Sequence, residues 1–280
     1  MAGAAAVTRP RVVFVADDLG LSAGIDDGIA LAARGGNVRE ASLCVTVEGA
    51  EHGVATARAH GLGIGLHLSL TLGRALTGPL RGLTDADGRF RSLRRVLLAC
   101  TFGAVDRDAI AREVDAQLQR VSDLGVVPTH LNGHHHVHVF PGVRDVAFAV
   151  AAQRGVRWTR LPEELPLLRP LPAAAWLIAR MARKARPAAE RAALRSLPFV
   201  GIATEGRTDF GDRSRRIASR LTAGGVAACE WMVHPRRPDP ALEELDPAGY
   251  RRPAADELVT LSDPGLAARW GVEPVAFAAL

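Results

Sequence analysis

Five of the chain's nine histidines fall within nine positions: His130, His134, His135, His136 and His138. Neutral imidazole is the commonest side-chain metal ligand, and a divalent ion is the chemical reason to gather so many. On an extended segment side chains alternate, so this spacing predicts that His134, His136 and His138 share one face. Two neighbouring carboxylates, Asp17 and Asp18, end the apolar run Val12-Val13-Phe14-Val15-Ala16. Adjacent residues point in different directions, so one carboxylate can hold an ion while the other faces a water. That division suits hydrolysis, in which the ion lowers the pKa of water and a carboxylate removes its proton. Read locally, the same pair also fits an Asx-type turn or a helix N-cap. His67, in Gly65-Leu66-His67-Leu68, and His234, in Trp231-Met232-Val233-His234-Pro235, close two further apolar runs. Each alone fits a hydrogen-bonded core histidine. Together, several strand ends carrying Asp and His make a constellation.

The elements that position these residues alternate. A strand over 12–16 is followed by a helix over about 23–34, which Gly35-Gly36 stops. Strands follow over 41–47 and 62–68, with a helix over 51–60 between them. Residues 71–92 are punctuated by Gly, Pro and Asp and read as a long loop over one face. A helical period at Ile110, Val114, Leu118 and Val121 marks a helix over 106–124. Strand 126–131 then runs into the histidine cluster, Pro141-Gly142 opens a helix, and 156–161 is a further strand. A helix over 215–221 and a strand over 227–233 resume the pattern. Strand–helix–strand alternation with short links predicts parallel pairing with crossover helices, and such folds gather their strand ends on one rim. Residues 162–198 break the alternation with six prolines, and within them 176–194 reads as a helix with a basic side and an apolar side. This stretch reads as a cap over the barrel mouth or a contact in a homodimer, with a membrane-surface helix as another reading.

The segments Val15-Ala16-Asp17-Asp18-Leu19-Gly20, Gly65-Leu66-His67-Leu68, Thr129-His130-Leu131-Asn132-Gly133-His134-His135-His136-Val137-His138 and Met232-Val233-His234-Pro235 occur in the order seen in the YdjC-like carbohydrate deacetylases. The chain resembles this family, the chitooligosaccharide deacetylase type with its hopanoid-associated members, from residue 12 to about 235. The resemblance implies an α/β fold: a distorted TIM-like (β/α) barrel in a single domain over 1–280. Residues 10–161 and 199–280 would form the barrel, and 162–198 a helical, Pro/Arg-rich variable insertion. It implies one divalent metal ion, Mg²⁺ or Zn²⁺, on Asp18, His67 and His134. Asp17 would be the general base, and His234 would protonate the leaving amine or steady the oxyanion. His136, His138, Asn132 and Arg160 would line the pocket or hold the ligands from behind. The implied reaction removes the acetyl group from an N-acetylated amino sugar by hydrolysis of a linear amide. The family usually carries an Asp-Ser or similar pair before the histidine run, where this chain has Asn132-Gly133, a change that bears on how a ligand histidine is oriented. Leu19 stands where phenylalanine is common.

Composition bounds the alternatives. The chain has 280 residues, 48% of them hydrophobic, with a formal net charge of +5 and a mean hydropathy of +0.08; that excludes disorder as the main state. No apolar run reaches the ~18–20 residues of a membrane span. Residues 1–10 lack the features of a secretory signal, so the expected location is the cytoplasm. Cys44, Cys100 and Cys229 are scattered and read as small buried hydrophobes. Between Trp176 and Arg220, 11 basic residues face 4 acidic ones, a local +7 that leaves −2 for the rest of the chain. Only Trp176, Phe199 and Phe210 interleave with this charge, too few stacking aromatics for nucleic acid to be the expected partner. Two rival functions follow: a metal phosphoesterase gripping phosphate through Arg157, Arg160 or Arg207, and a non-enzymatic, metal-dependent nucleic-acid-binding protein using 176–220.

Overall fold

The computed structural model describes residues 9–165, 173–245 and 254–280. The N-terminal stretch read for a signal lies mostly outside them, as do Pro166, Pro170 and Pro172 of the expected insertion.

Strand β1 (Arg11–Leu19) is central. On one side it pairs in parallel with β2 (Glu40–Leu43), which leads on to β3 (Gly63–Leu68), β4 (His130–Gly133) and β5 (Trp158–Thr159); on the other it pairs with β7 (Ala228–Val233), which leads to β6 (Phe199–Val200). Two isolated parallel bridges, Trp158 to Arg195 and Glu164 to Phe199, connect the β5 and β6 ends. The sheet therefore curves into a distorted barrel, with β5 and β6 reduced to two residues each. A last short strand, β8 (Glu273–Pro274), adds to the start of β1.

Period-2 alternation assigns the two faces of the sheet. Val12, Phe14 and Ala16 join the main core beneath the helices, while Val13 and Val15 join a separate cluster with Trp158, Val275 and Phe277. The second set faces the barrel interior, and Phe277, stacked 5.2 Å from Trp158, fills its base. Above it the inward positions turn polar: Asp17, Ser42, His67, Asn132, Arg160 and Glu230 are all buried. An interior with this much polar surface is stable only if its members satisfy one another.

Helices cover the outside: α1 (Ala23–Arg34), α2 (Ala50–Ala59), α3 (Leu93–Thr101), α4 (Arg107–Asp123), α5 (Arg144–Gln153), α6 (Ala173–Arg191), α7 (Phe210–Ala223), α8 (Pro240–Leu245), α9 (Ala255–Leu261) and α10 (Leu266–Trp270). Ser22 caps α1 by accepting from the Ile25 amide, and Asp106 caps α4 through the amides of Asp108 and Ala109; such caps satisfy donors that the helix leaves open. Helix α6 buries an alanine-rich face against α5 and the turn after β4. Its basic side is partly neutralised, with Arg183 and Arg186 paired to Glu163 and Arg191 to Asp145. No described helix is long and apolar enough to cross a membrane.

Several sequence expectations change: the strand read over 126–131 is β4 at His130–Gly133, and the one read over 156–161 is β5, only Trp158–Thr159. Strand β2 stops at Leu43 rather than running to residue 47. The histidine cluster is not extended beyond Gly133: residues His134–Val139 form a 3₁₀ turn in which His135 and His136 have φ of 52° and 58°. His134, His136 and His138 therefore do not line up along one strand face.

Candidate active site

The C-terminal ends of β1, β3, β4, β5 and β7 converge, and with them the residues singled out in sequence. The first problem is how consecutive carboxylates can both face inward. Pairing between β1 and β2 slips between Ala16 and Leu19, and Asp18 sits there with φ of 68°. This bulge turns Asp18 back toward the barrel axis that Asp17 already faces. Asp26 holds the exit of the turn by accepting from the Gly20 amide at 2.7 Å.

Asp18 Oδ1 lies 3.0 Å from His67 Nε2 and 2.9 Å from His134 Nδ1. The three residues are buried, and one ligand atom from each falls within 4.8 Å of the others. Asn132 fixes His67. Its Nδ2 donates to Asp17 Oδ1 at 3.0 Å and to Ser42 Oγ at 2.7 Å, so its Oδ1 is the atom that meets His67 Nδ1 at 2.7 Å. An amide oxygen only accepts; His67 therefore donates from Nδ1 and turns Nε2 toward Asp18. Nε2 faces a carboxylate oxygen at 3.0 Å, an arrangement in which both can coordinate one cation. Two imidazoles and a carboxylate, with the outer nitrogen of one ring anchored, fit a divalent metal. The departure at Asn132 thus leaves His67 oriented, by an amide in place of a carboxylate.

Asp17 belongs to a different network. Arg160, fully buried, donates from Nη1 to Asp17 Oδ2 at 2.5 Å, from Nη2 to Asp17 Oδ1 at 2.9 Å, and from Nε to Glu230 Oε1 at 2.5 Å. Burial alone would raise the Asp17 carboxyl, but Arg160, with His67 and His234, holds it well below the usual carboxylate range. Burial opposes Asp18 too, and His134 and His67 overcome it in the same direction. Both acids are therefore anionic throughout the physiological range. Arg160 has no donor fork to spare for a phosphate. Arg207 pairs with Asp209 at the surface, and Arg157 precedes β5, at the opposite end of the barrel from the ligand cluster. The phosphate-gripping arginines read from sequence do not assemble at this site.

His136 and His138 flank Arg160 from the 3₁₀ turn. His138 Nε2 meets the Arg160 carbonyl at 2.9 Å, and the His136 ring packs edge-on to Phe199. Burial keeps both neutral, pushing His138 down to about 3 and His136 well below its ordinary value. His234 is the most open member, its side chain 17% exposed, with Nε2 4.0 Å from Asp18 Oδ2. Its backbone amide donates to Glu257 Oε1 at 2.6 Å, which ties the end of β7 to α9.

Sequence reasoning passed over Ser42, Glu230 and Glu257. The signal for Glu230 was present: a charged residue inside the apolar run Ala-Cys-Glu-Trp-Met-Val needs a buried counter-charge. Glu257 has a measurable signature. Burial pushes it up to about 7, against the pull of His234, and burial does the same for Glu164. In the unfolded chain both titrate near 4.5. Between about 4.5 and 7 these two carboxyls therefore bind more protons in the native state and lower the unfolding free energy as pH rises, against the opposite contribution of the neutral His136 and His138. Glu257→Gln should lose its share, so the difference between its denaturation midpoint and that of wild type is expected to change across this window. An identical slope in the variant would exclude this assignment.

Comparison with known proteins bears on the family. Residues 11–270 match the YdjC-like protein family. The chain is 37% identical to a carbohydrate deacetylase of Mus musculus over 265 residues, covering 87% of this chain and 82% of that protein. It is 34% identical to the carbohydrate deacetylase of Geobacillus stearothermophilus, covering 92% of each. Among solved structures, an Enterococcus faecalis protein described as a candidate for cellobiose-phosphate cleavage superposes with a TM-score of 0.78 over 97% of this chain and 99% of that one, at 19% identity. That similarity supports the fold.

Proposed function

The chain belongs to the YdjC-like protein family, and from that premise we propose that it is a carbohydrate N-deacetylase with one divalent metal ion on Asp18, His67 and His134. The substrate class is an N-acetylated amino sugar, and the bond hydrolysed is its linear amide C–N bond. The observation that carries the reading is the pair Asp17 and Asp18, turned to one axis by a bulge and given separate partners: histidines for Asp18, Arg160 for Asp17.

A divalent ion at the Asp18 group would supply Lewis acidity, polarising the amide carbonyl and lowering the pKa of water. Asp17, ionised and held by Arg160, accepts the proton of the attacking water. His234, on the other side of Asp18 and the most exposed of the set, hands a proton to the departing amine. Asp17 then holds one proton more and His234 one fewer; exchange with solvent returns the proton from Asp17 to His234, and the products are acetate and the amino sugar, its amine protonated. His136 and His138 stay neutral and act as walls and anchors for Arg160. By ligand type the donors suit Zn²⁺; Mg²⁺ prefers oxygen and is the ion to test beside it. Three buried cysteines without a disulfide among the described residues accord with a cytoplasmic enzyme.

The test is acetate release from N-acetylated monosaccharides and short oligomers, with added Mg²⁺ or Zn²⁺ and with chelator. Release that needs metal supports the reading. Silence across the panel from protein shown to hold its metal overturns it. Asp17→Asn is expected to lower kcat by about 10²–10⁴-fold, the usual worth of a general base, with KM little changed. A kcat within threefold of wild type would remove Asp17 from the role.

A further inference from the structure

Behind Asp17, on the side away from the rim, a line of buried polar groups descends the barrel axis. Ser42 Oγ lies 3.2 Å from Asp17 Oδ1 and 3.0 Å from His130 Nε2. His130 Nδ1 lies 2.8 Å from Thr129 Oγ1, which donates to Glu40 Oε2 at 2.8 Å. The Phe277 amide closes the line by donating to Glu40 Oε1 at 2.9 Å. Room for it is built into β3: a Cβ at Gly63 would meet the Glu40 carboxylate at 2.3 Å, and one at Gly65 the His130 ring at 2.5 Å.

The links are coupled through Ser42. Its hydroxyl has one proton, which Asp17 Oδ1 can only accept, and with that proton on Asp17 the Ser42 oxygen accepts from His130 Nε2. An Nε2–H turned to Ser42 keeps the hydroxyl aimed at Asp17.

The consequence falls on Asp17. Among the described residues its Oδ1 is met by three donors, Ser42, Asn132 Nδ2 and Arg160 Nη2, whereas its Oδ2 is met by Arg160 Nη1 alone. We propose that Ser42 and His130 are positioning residues for Asp17: they load Oδ1 with hydrogen bonds, so that Oδ2 is the oxygen that takes the proton from water. This rests on Asp17 being the general base.

Ser42→Ala and His130→Ala are each expected to lower kcat about tenfold, the worth of one buried hydrogen bond, with KM within about twofold. The double variant should be no slower than the slower single one, because both act through one link. Ser42→Thr, which keeps the hydroxyl, should restore most of the rate, and His130→Gln serves where the alanine variant does not fold. In ¹⁵N spectra of histidine-labelled protein, Ser42→Ala should move the His130 Nε2 resonance, a change that structural loosening alone would not confine to one ring nitrogen. An unchanged kcat in Ser42→Ala, losses that multiply in the double variant, or an unmoved resonance each overturn the proposal while wild-type turnover stands. Absence of acetate from the wild type on every sugar overturns the base assignment and the proposal together.

Discussion

The His67→Ala protein is expected to release no measurable acetate from any N-acetylated sugar, a loss of about 10⁴-fold or more. One of the three proposed donors disappears, and the remaining pair, Asp18 and His134, would leave a bound cation with only one carboxylate and one imidazole. The substitution also strips Asn132 Oδ1 of its partner in a buried setting, which costs about 1–3 kcal/mol of stability. The protein should therefore fold with a lowered denaturation midpoint and bind metal weakly. Metal content after dialysis, measured beside activity, separates the two effects. Full metal occupancy with lost activity would move His67 from ligand to another role, and full activity would remove it from the site.

Arg160→Met is the substitution expected to hurt the fold most. The guanidinium bridges Asp17 and Glu230, all three buried. Removing one partner of a buried ion pair is destabilising by about 3–5 kcal/mol, because a charge stays behind in low dielectric. Here two carboxylates stay behind. Arg160 raises stability most where Asp17 is ionised, so the loss should be full at neutral pH and shrink as acid protonates the stranded carboxylates. Arg160→Lys should rescue little, since a single ammonium cannot make three bonds to two carboxylates in a planar fork. Urea unfolding at pH 7 and pH 4 checks both statements. A variant as stable as wild type at pH 7 would mean that the network is a passive filling of the barrel.

Much of the site could be read from residue order alone, because strand ends carry their chemistry locally. Asp17-Asp18, His67 and His234 each follow an apolar run, and parallel strands bring such ends together whatever the details. His134 was legible as a residue but not as a geometry. The extended reading of 134–138 failed because His135 and His136 adopt left-handed backbone, which their side-chain types do not announce. The inward set below the rim was harder still. Glu40, Ser42 and Glu230 become interior residues only when the sheet curves round, and period-2 parity along one short strand does not say which face will close. Helix α3 and the tail from Glu273 onward depend on contacts from distant segments, Phe277 on Trp158 and His130 above all. Local pattern carries no trace of those.

The backbone at Asp18, His135 and His136 has φ of 68°, 52° and 58°, a region that costs a side-chain-bearing residue roughly 1–3 kcal/mol and glycine almost nothing. The conformation preferred by the fold and the side chains that the proposed chemistry uses are therefore opposed at Asp18 and His136. Selection for heat resistance alone, with no demand for turnover, would drift toward glycine there and erase Asp18, the proposed ligand, while improving the scaffold. Engineering this barrel for durability has to treat those positions as closed and look for its gains elsewhere.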